Sequence, residues 1–133
     1  MKKIDAYLAV PYTHPDPAVQ EWRFERVTEM TAILIGEGRF KSIYSPITHS
    51  HPIDKHLARY ADHEFWVEEF DMPFLLNSAN LIILRLPGWD RSTGVRMEMD
   101  RAKQEGIPIW FLDPAYDAMS RIEGVAVLMR ITK

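Results

Sequence analysis

Glu98 is the residue of this chain best placed to do chemistry. The run Leu81-Ile82-Ile83-Leu84 is continuously apolar, as befits a strand buried on both faces. Pro87-Gly88-Trp89-Asp90 breaks it, and Ser92 to about Gln104 reads as a helix. At about 100° per residue, Val95, Met99 and Ala102 form the apolar stripe, and Glu98 falls roughly 60° from its centre. That position aims its carboxylate along the edge of the buried face, towards the carboxyl end of the preceding strand. Open α/β sheets bind their ligands there. A helical glutamate also serves simply to solvate a surface, and Ser92 or Thr93 simply to cap a helix. A hydroxyl and Gly94 at a helix start equally suit an anion, because the free N–H groups and the helix dipole favour negative charge. Spacing leaves cap and phosphate site both open.

The elements that must position this carboxylate follow from the apolar pattern. Ile4 to Val10 reads as the first strand. Pro11 to Pro17 is a Pro-rich loop that resists helix until it ends. A helix from about Ala18 to Ile35 carries Phe24, Val27, Met30, Thr31 and Leu34 at helical spacing, and Gly36 and Gly38 stop it. A short strand at Ser42-Ile43-Tyr44 leads into a polar loop from Ser45 to Pro52. Asp54 to Asn77 is mainly helical, anchored by Phe65, Trp66, Phe70 and Phe74 and kinked or restarted at Pro73. After the Leu81 strand and the Glu98 helix, Gly106 ends the helix. Ile107 to Leu112 is a fourth strand, Tyr116 to Arg121 a short helix, and Val125 to Ile131 a fifth strand. The alternation predicts one α/β domain over 1–133, flavodoxin-like and doubly wound. Its five-stranded parallel sheet carries helices on both faces. The loops after strands one and two and the Pro87–Arg91 turn then line one crevice with Glu98.

Bulk properties exclude several functions. The chain has 133 residues, is 47% hydrophobic and 26% charged, and carries a net charge of −3. Such a balance gives no global attraction to nucleic acid or to a lipid surface. No cysteine is present, so disulfide scaffolds and thiolate sites are excluded. No apolar run approaches membrane-spanning length and no signal-peptide pattern follows Met1-Lys2-Lys3-Ile4. The expectation is a cytoplasmic protein, or one made inside a host cell by a phage. His49, His51 and His56, with His63 nearby, invite a metal reading. Without cysteines or clustered carboxylates they fit hydrogen bonding to a ligand or to loop backbone better, and no metal is expected. His14 is equally ambiguous. Met97, on the outward face of the Glu98 helix, together with Trp22 and Trp66 suggests a homo-oligomer interface.

Two segments resemble the nucleoside 2-deoxyribosyltransferase superfamily. Tyr7-Leu8-Ala9-Val10-Pro11-Tyr12 is similar to its first-strand motif, an aromatic residue followed by a small-residue turn. Ser92-Thr93-Gly94-Val95-Arg96-Met97-Glu98-Met99, followed by Ala102, is similar to its nucleophile motif. The Ser-His-Pro-Ile run at Ser50 to Ile53 and the Leu-Pro-Gly-Trp turn at Leu86 to Trp89 are closest to one small bacterial or phage family of unknown function within it.

The resemblance implies roles. Glu98 corresponds to the glutamate that attacks the anomeric carbon of a 2-deoxyribosyl group. A carboxylate suits that task, since the transition state is oxocarbenium-like and the same group then captures the sugar. Asp71 corresponds, to within a residue of register, to the acid that protonates the departing base, although with Pro73 following it also suits a helix N-cap. Asp90 is a rival acid or a plain turn former. Tyr7 corresponds to the tyrosine that orients the nucleophile, or is an ordinary strand aromatic. Six residues before the glutamate the nucleoside transferases often carry Asp, whereas the related nucleoside 5-monophosphate N-glycosidases carry Ser. Ser92 therefore tilts the reading towards a nucleotide, since Ser donates to a phosphate that Asp would repel. Arg96 departs from both subfamilies, which prefer a small residue there. A long side chain at that point fills the sugar pocket or binds phosphate.

The expected activity is cleavage of the base–sugar bond of a (deoxy)nucleoside or its 5-monophosphate, by an N-glycosidase or deoxyribosyltransferase that needs no cofactor. Glu98 would be the nucleophile, Asp71 or Asp90 the acid and Tyr7 the orienting group. Ser92, Gly94, Arg96, Pro11, Tyr12, His49 and His51 would contact substrate. The expected partner is a small nucleoside or nucleotide, with no nucleic acid and no membrane. The rival is a non-catalytic nucleotide-binding or sensing module on the same fold, with Arg96 and the histidine loop holding an uncleaved ligand. An FMN protein fits poorly, because no Ser/Thr-Gly phosphate loop follows the first strand.

Overall fold

The computed structural model describes residues 3–62, 64–114 and 126–130. Its five strands lie in the order β2-β1-β3-β4-β5. They are β1 (Ala6–Ala9), β2 (Ile43–Tyr44), β3 (Leu81–Leu84), β4 (Ile109–Pro114) and β5 (Ala126–Arg130). β1 to β4 are mutually parallel, and the strand order reverses between β1 and β3. The carboxyl ends of that pair form the switch point at which open α/β sheets take ligands.

The fifth strand corrects the all-parallel expectation. β5 runs antiparallel to β4, with Pro114 opposite Ala126 and Trp110 opposite Arg130. It begins at the end of the sheet where β4 finishes, so the chain need not recross the sheet as a parallel strand would require. An apolar run marks a strand without marking its direction. The helix expected over 116–121 lies outside the described residues, as does His63.

Helices cover both faces. α1 (Pro17–Glu37) opens on an Asp16 side chain that accepts from the Ala18 N–H at 2.9 Å, with Pro17 in the first turn, where the missing N–H is harmless. It runs through Gly36 and ends only at Gly38, whose φ of 74° supplies the left-handed turn. Val27, Met30 and Leu34 pack on Ala6, Leu8, Ile82 and Leu84. The other face, with Tyr7, Ala9, Leu81 and Ile83, is covered by Met72 and Leu75 of α3 (Met72–Leu76) and by Val95 and Ala102 of α4 (Thr93–Gln104). Each fully buried Leu or Ile contributes about 1.5–3 kcal/mol relative to an exposed one.

Two connections differ from the sequence reading. The loop expected over 45–52 is a helix, α2 (Pro46–Asp54). Its turn formers act as caps: Ser45 accepts from Thr48 N–H, and Pro46 occupies the first turn. Pro52 is accommodated in the last turn. The helix expected over 54–77 begins only after residue 64, as a widened π-helical segment (Phe65–Asp71) that passes into α3. Met72 N–H reaches back five residues to the Val67 carbonyl. Pro73 has no N–H to continue the regular ladder, which favours such a widened turn. Among the described residues, no helix is long and apolar enough to cross a membrane.

Candidate functional site

β1 and β2 each carry a tyrosine, and each tyrosine meets a carboxylate. Tyr7 is wholly buried, and its hydroxyl donates to Glu98 Oε2. Glu98 shares the buried face of α4 with Val95 and Ala102 and is only 5% exposed. Tyr44 is the register partner of Tyr7 and donates its hydroxyl to Asp71 Oδ1 at 3.1 Å. Asp71 ends the π-helical segment and is 4% exposed. It occupies the N-cap position of α3, yet its side chain makes no capping bond. That carboxylate faces Tyr44 rather than the helix.

Burial sets the electrostatics. Desolvation pushes the Glu98 carboxyl up to about 8; the Tyr7 hydrogen bond opposes this and the charge of Asp71 reinforces it. Burial likewise pushes Asp71 up to about 7, against the hydrogen bond from Tyr44. Both phenols are held above their ordinary range, by burial first and then by the neighbouring carboxylates. The two carboxyls therefore retain at least one proton between them near neutral pH. Two buried carboxyls with raised pKa values on one recess suit general acid and nucleophile roles.

Both carboxylates open onto one cleft of about 520 Å³ at the carboxyl end of the sheet, and Tyr12, His51, Trp66, Ser92, Thr93 and Gly94 also line it. Ser92 caps α4 by accepting from Val95 N–H at 3.2 Å, which leaves its own O–H able to donate. The sequence-predicted residues Glu98, Asp71, Ser92, Gly94, Tyr12 and His51 thus come together, with Tyr7 bonded beneath them.

Others stand apart. Asp90 is exposed and does not line the cleft, which separates this rival acid from Glu98. Arg96 is exposed on α4 and also outside the cleft, because two residues along a helix carry it well around from Glu98. Pro11 is buried behind the lining formed by Val10 and Tyr12, and His49 is exposed, stacked on Phe70. Met97, read as outward-facing, packs against the apolar layer under α4. Among the described residues, no group of three or more His, Asp or Glu side chains gathers as a metal site.

Sequence reasoning missed four contributors. Tyr44 is a strand tyrosine like Tyr7, but a two-residue strand gives little alternation to read. Arg91, not Arg96, is the arginine at the cleft. Asp54 lines it too and accepts from Trp66 Nε1–H at 3.2 Å. Arg23, 8% exposed on α1, joins the two loops beside the cleft by donating to the Thr13 carbonyl at 3.2 Å and the Pro87 carbonyl at 3.1 Å. Gly88 lies against it at φ 93°, where an added Cβ would stand 2.9 Å from Arg23 Nη2.

A family model for DUF1937, a domain of unknown function, matches residues 4–113. The chain belongs to this family. The matched span takes in β1 to β3, β4 up to Asp113, both tyrosines, both carboxylates and every residue of the cleft. The DUF1937 region thus contains the whole candidate site, while β5 falls beyond it. No curated protein matches the chain.

Proposed function

We propose that the cleft cleaves the N-glycosidic bond of a nucleoside or nucleoside 5-monophosphate. The observation that carries this reading is the pairing of Tyr7 with buried Glu98 on the same cleft as buried Asp71. A Glu98 oxygen attacks the anomeric carbon as its bond to the base nitrogen breaks. The proton on Asp71 passes to that nitrogen, so the base leaves neutral. Water or an acceptor base then attacks the anomeric carbon, returns a proton to Asp71 and releases the sugar from Glu98. Tyr7 holds the Glu98 oxygens in place and stabilises the anion needed for attack. The likeness of the Ser92–Met99 segment to the deoxyribosyltransferase nucleophile motif supports the same assignment. The side chain of Ser92, the start of α4 and Arg91 suit a 5-phosphate.

The test is incubation with a panel of deoxynucleosides and their 5-monophosphates, followed by chromatography for free base. Release of base from at least one member is the expected result. Binding without release from any member would instead favour a nucleotide-sensing module. Burial favours that second reading: it pushes the Glu98 carboxyl up to about 8, and a neutral carboxyl binds a ligand as hydrogen-bond donor.

A further inference from the structure

Beside the same cleft, three side chains form a chain of hydrogen bonds that the reaction above does not use. Glu21 Oε1 lies 3.1 Å from His51 Nε2, and His51 Nδ1 lies 2.5 Å from the Tyr12 hydroxyl. The His51 bond first, and then Lys55 Nζ at 3.4 Å from the same Glu21 oxygen, hold the Glu21 carboxyl below its ordinary range. His51 is 6% exposed, and its ring is stacked on Phe24 at 4.1 Å between centroids, which fixes the plane and direction of the imidazole.

The donors and acceptors along this chain can be assigned in order. A carboxylate only accepts, so His51 Nε2 carries the proton. In the neutral ring Nδ1 is then an acceptor, and the Tyr12 O–H must donate to it. The single phenolic proton is thereby committed inside the protein, and the Tyr12 oxygen has only lone pairs left for a ligand. Tyr12 and His51 both line the cleft, and so does Asp54, another acceptor, which is itself bonded to Trp66.

We infer that the Glu21–His51–Tyr12 chain makes Tyr12 a specificity-determining acceptor, selecting nucleobases that present an amino group to this wall over those that present a carbonyl. The inference rests on the nucleotide reading of the cleft and deepens it by naming the class of base. A keto base would set its oxygen against the Tyr12 oxygen, leaving two acceptors without a proton between them. Such an unmet pair is what allows a polar site to reject a near-isostere.

The experiment compares two amino/keto pairs, deoxyadenosine and deoxyinosine 5-monophosphates, and deoxycytidine and deoxyuridine 5-monophosphates, by calorimetric Kd on the wild-type protein, Tyr12→Phe and Glu21→Gln. Nitrogen NMR of His51 in the ligand-free wild-type protein reads the tautomer directly. The expected result is a protonated Nε2 and a bare Nδ1, with the amino member of at least one pair bound about tenfold tighter, the scale of one unmet buried hydrogen bond. Tyr12→Phe removes the acceptor and should bring that ratio to within about threefold. Glu21→Gln keeps an amide oxygen that accepts from His51 Nε2–H and should retain the preference. A proton on Nδ1, equal binding within both pairs, or a preference unchanged in Tyr12→Phe would overturn the inference while leaving the nucleotide reading intact. Failure of all four nucleotides to bind would overturn both.

Discussion

Tyr7 and Tyr44 stand opposite each other in the parallel register of β1 and β2, and each donates its hydroxyl to a different buried carboxylate. Register partners in adjacent strands point to the same face, and the two rings are 5.7 Å apart between centroids. Tyr44 is further held by stacking on Phe74, with centroids 4.2 Å apart. Glu98 and Asp71 come from helices far apart in sequence, but the tyrosines that hold them are neighbours. Each carboxyl is thus tuned by its own phenol, and the sheet fixes the relation between the two.

The two phenols should have separable effects on a pH profile. The Tyr7 and Tyr44 hydrogen bonds favour the anions of Glu98 and Asp71, which in the proposed mechanism are the attacking form and the spent form of the acid. Tyr7→Phe should therefore lower kcat by about 10- to 100-fold and move the acid limb upward, as a lost hydrogen bond to a charged group predicts. Tyr44→Phe should move the optimum upward too, but with activity above pH 8 retained or raised, because Asp71 keeps its proton longer. Profiles of kcat/KM between pH 5 and 10 check this. Identical profiles for the two variants would refute separate roles.

Under the proposed function, phosphate selectivity divides between Arg91 and Ser92, which both line the cleft. Arg91→Gln should weaken a 5-monophosphate while leaving its nucleoside unchanged. The difference should shrink at high salt, since Arg91 is exposed and its charge is screened. Ser92→Ala should show the same bias, by roughly 1–2 kcal/mol, and in addition lower stability by about 1 kcal/mol for the lost α4 cap. Parallel calorimetry at two salt concentrations and a thermal melt separate these contributions. Equal losses for nucleotide and nucleoside would leave Ser92 a plain cap.

Much of this arrangement was legible in the sequence because it is local. The apolar run at Leu81, the break at Pro87 and the amphipathic stripe of Val95 and Ala102 place Glu98 without reference to anything distant. What was not legible depends on pairing. Strand periodicity carries no direction, so β5 read as parallel. Ser45 and Pro46 read as turn formers, although the same residues cap a helix; Thr48 N–H, which Ser45 accepts, decides between the two. Tyr44 and Arg23 act through partners 27 and 64 residues away, Asp71 and Pro87, and no local pattern reports such contacts. Arg96 read as a site residue because it lies within the segment that resembles a nucleophile motif, yet helix geometry turns it away and Arg91 lines the cleft instead.

The loop staple gives a prediction that is independent of chemistry. Gly88→Ala forces a side chain into a left-handed conformation and against Arg23 Nη2, which should destabilise the fold by about 1–3 kcal/mol. Arg23→Met keeps most of the buried stem but frees the Thr13 and Pro87 carbonyls. It should lower the melting temperature and raise KM more than it lowers kcat, because the loops on either side of the cleft lose their common anchor. Denaturant melts and steady-state kinetics check both variants. A fully stable Gly88→Ala would mean that the turn has room to move.

Glu98→Gln tests nucleophile and electrostatics together. The change is nearly isosteric, so the Tyr7 hydroxyl keeps an acceptor and the fold should persist. Base release should fall by several orders of magnitude, because the covalent step is gone while binding survives. Stability should move the other way at neutral and higher pH. In the folded protein the Glu98 carboxyl is raised from 4.5 to about 8, so between those values the native state binds more protons than the unfolded chain. Wild-type stability is then greatest below about pH 4.5 as far as this group is concerned, and falls as pH rises towards 8. Asp71, raised from 3.8 to about 7, contributes a slope of the same sign at lower pH. Glu98→Gln removes the first contribution and keeps the second. Thermal melts from pH 5 to 8.5 should therefore show the variant overtaking the wild type with rising pH, the gap still widening above pH 7 where Asp71 has already ionised. A gap that stays constant across that range would place Glu98 in contact with solvent and remove the basis for its buried, proton-sharing role.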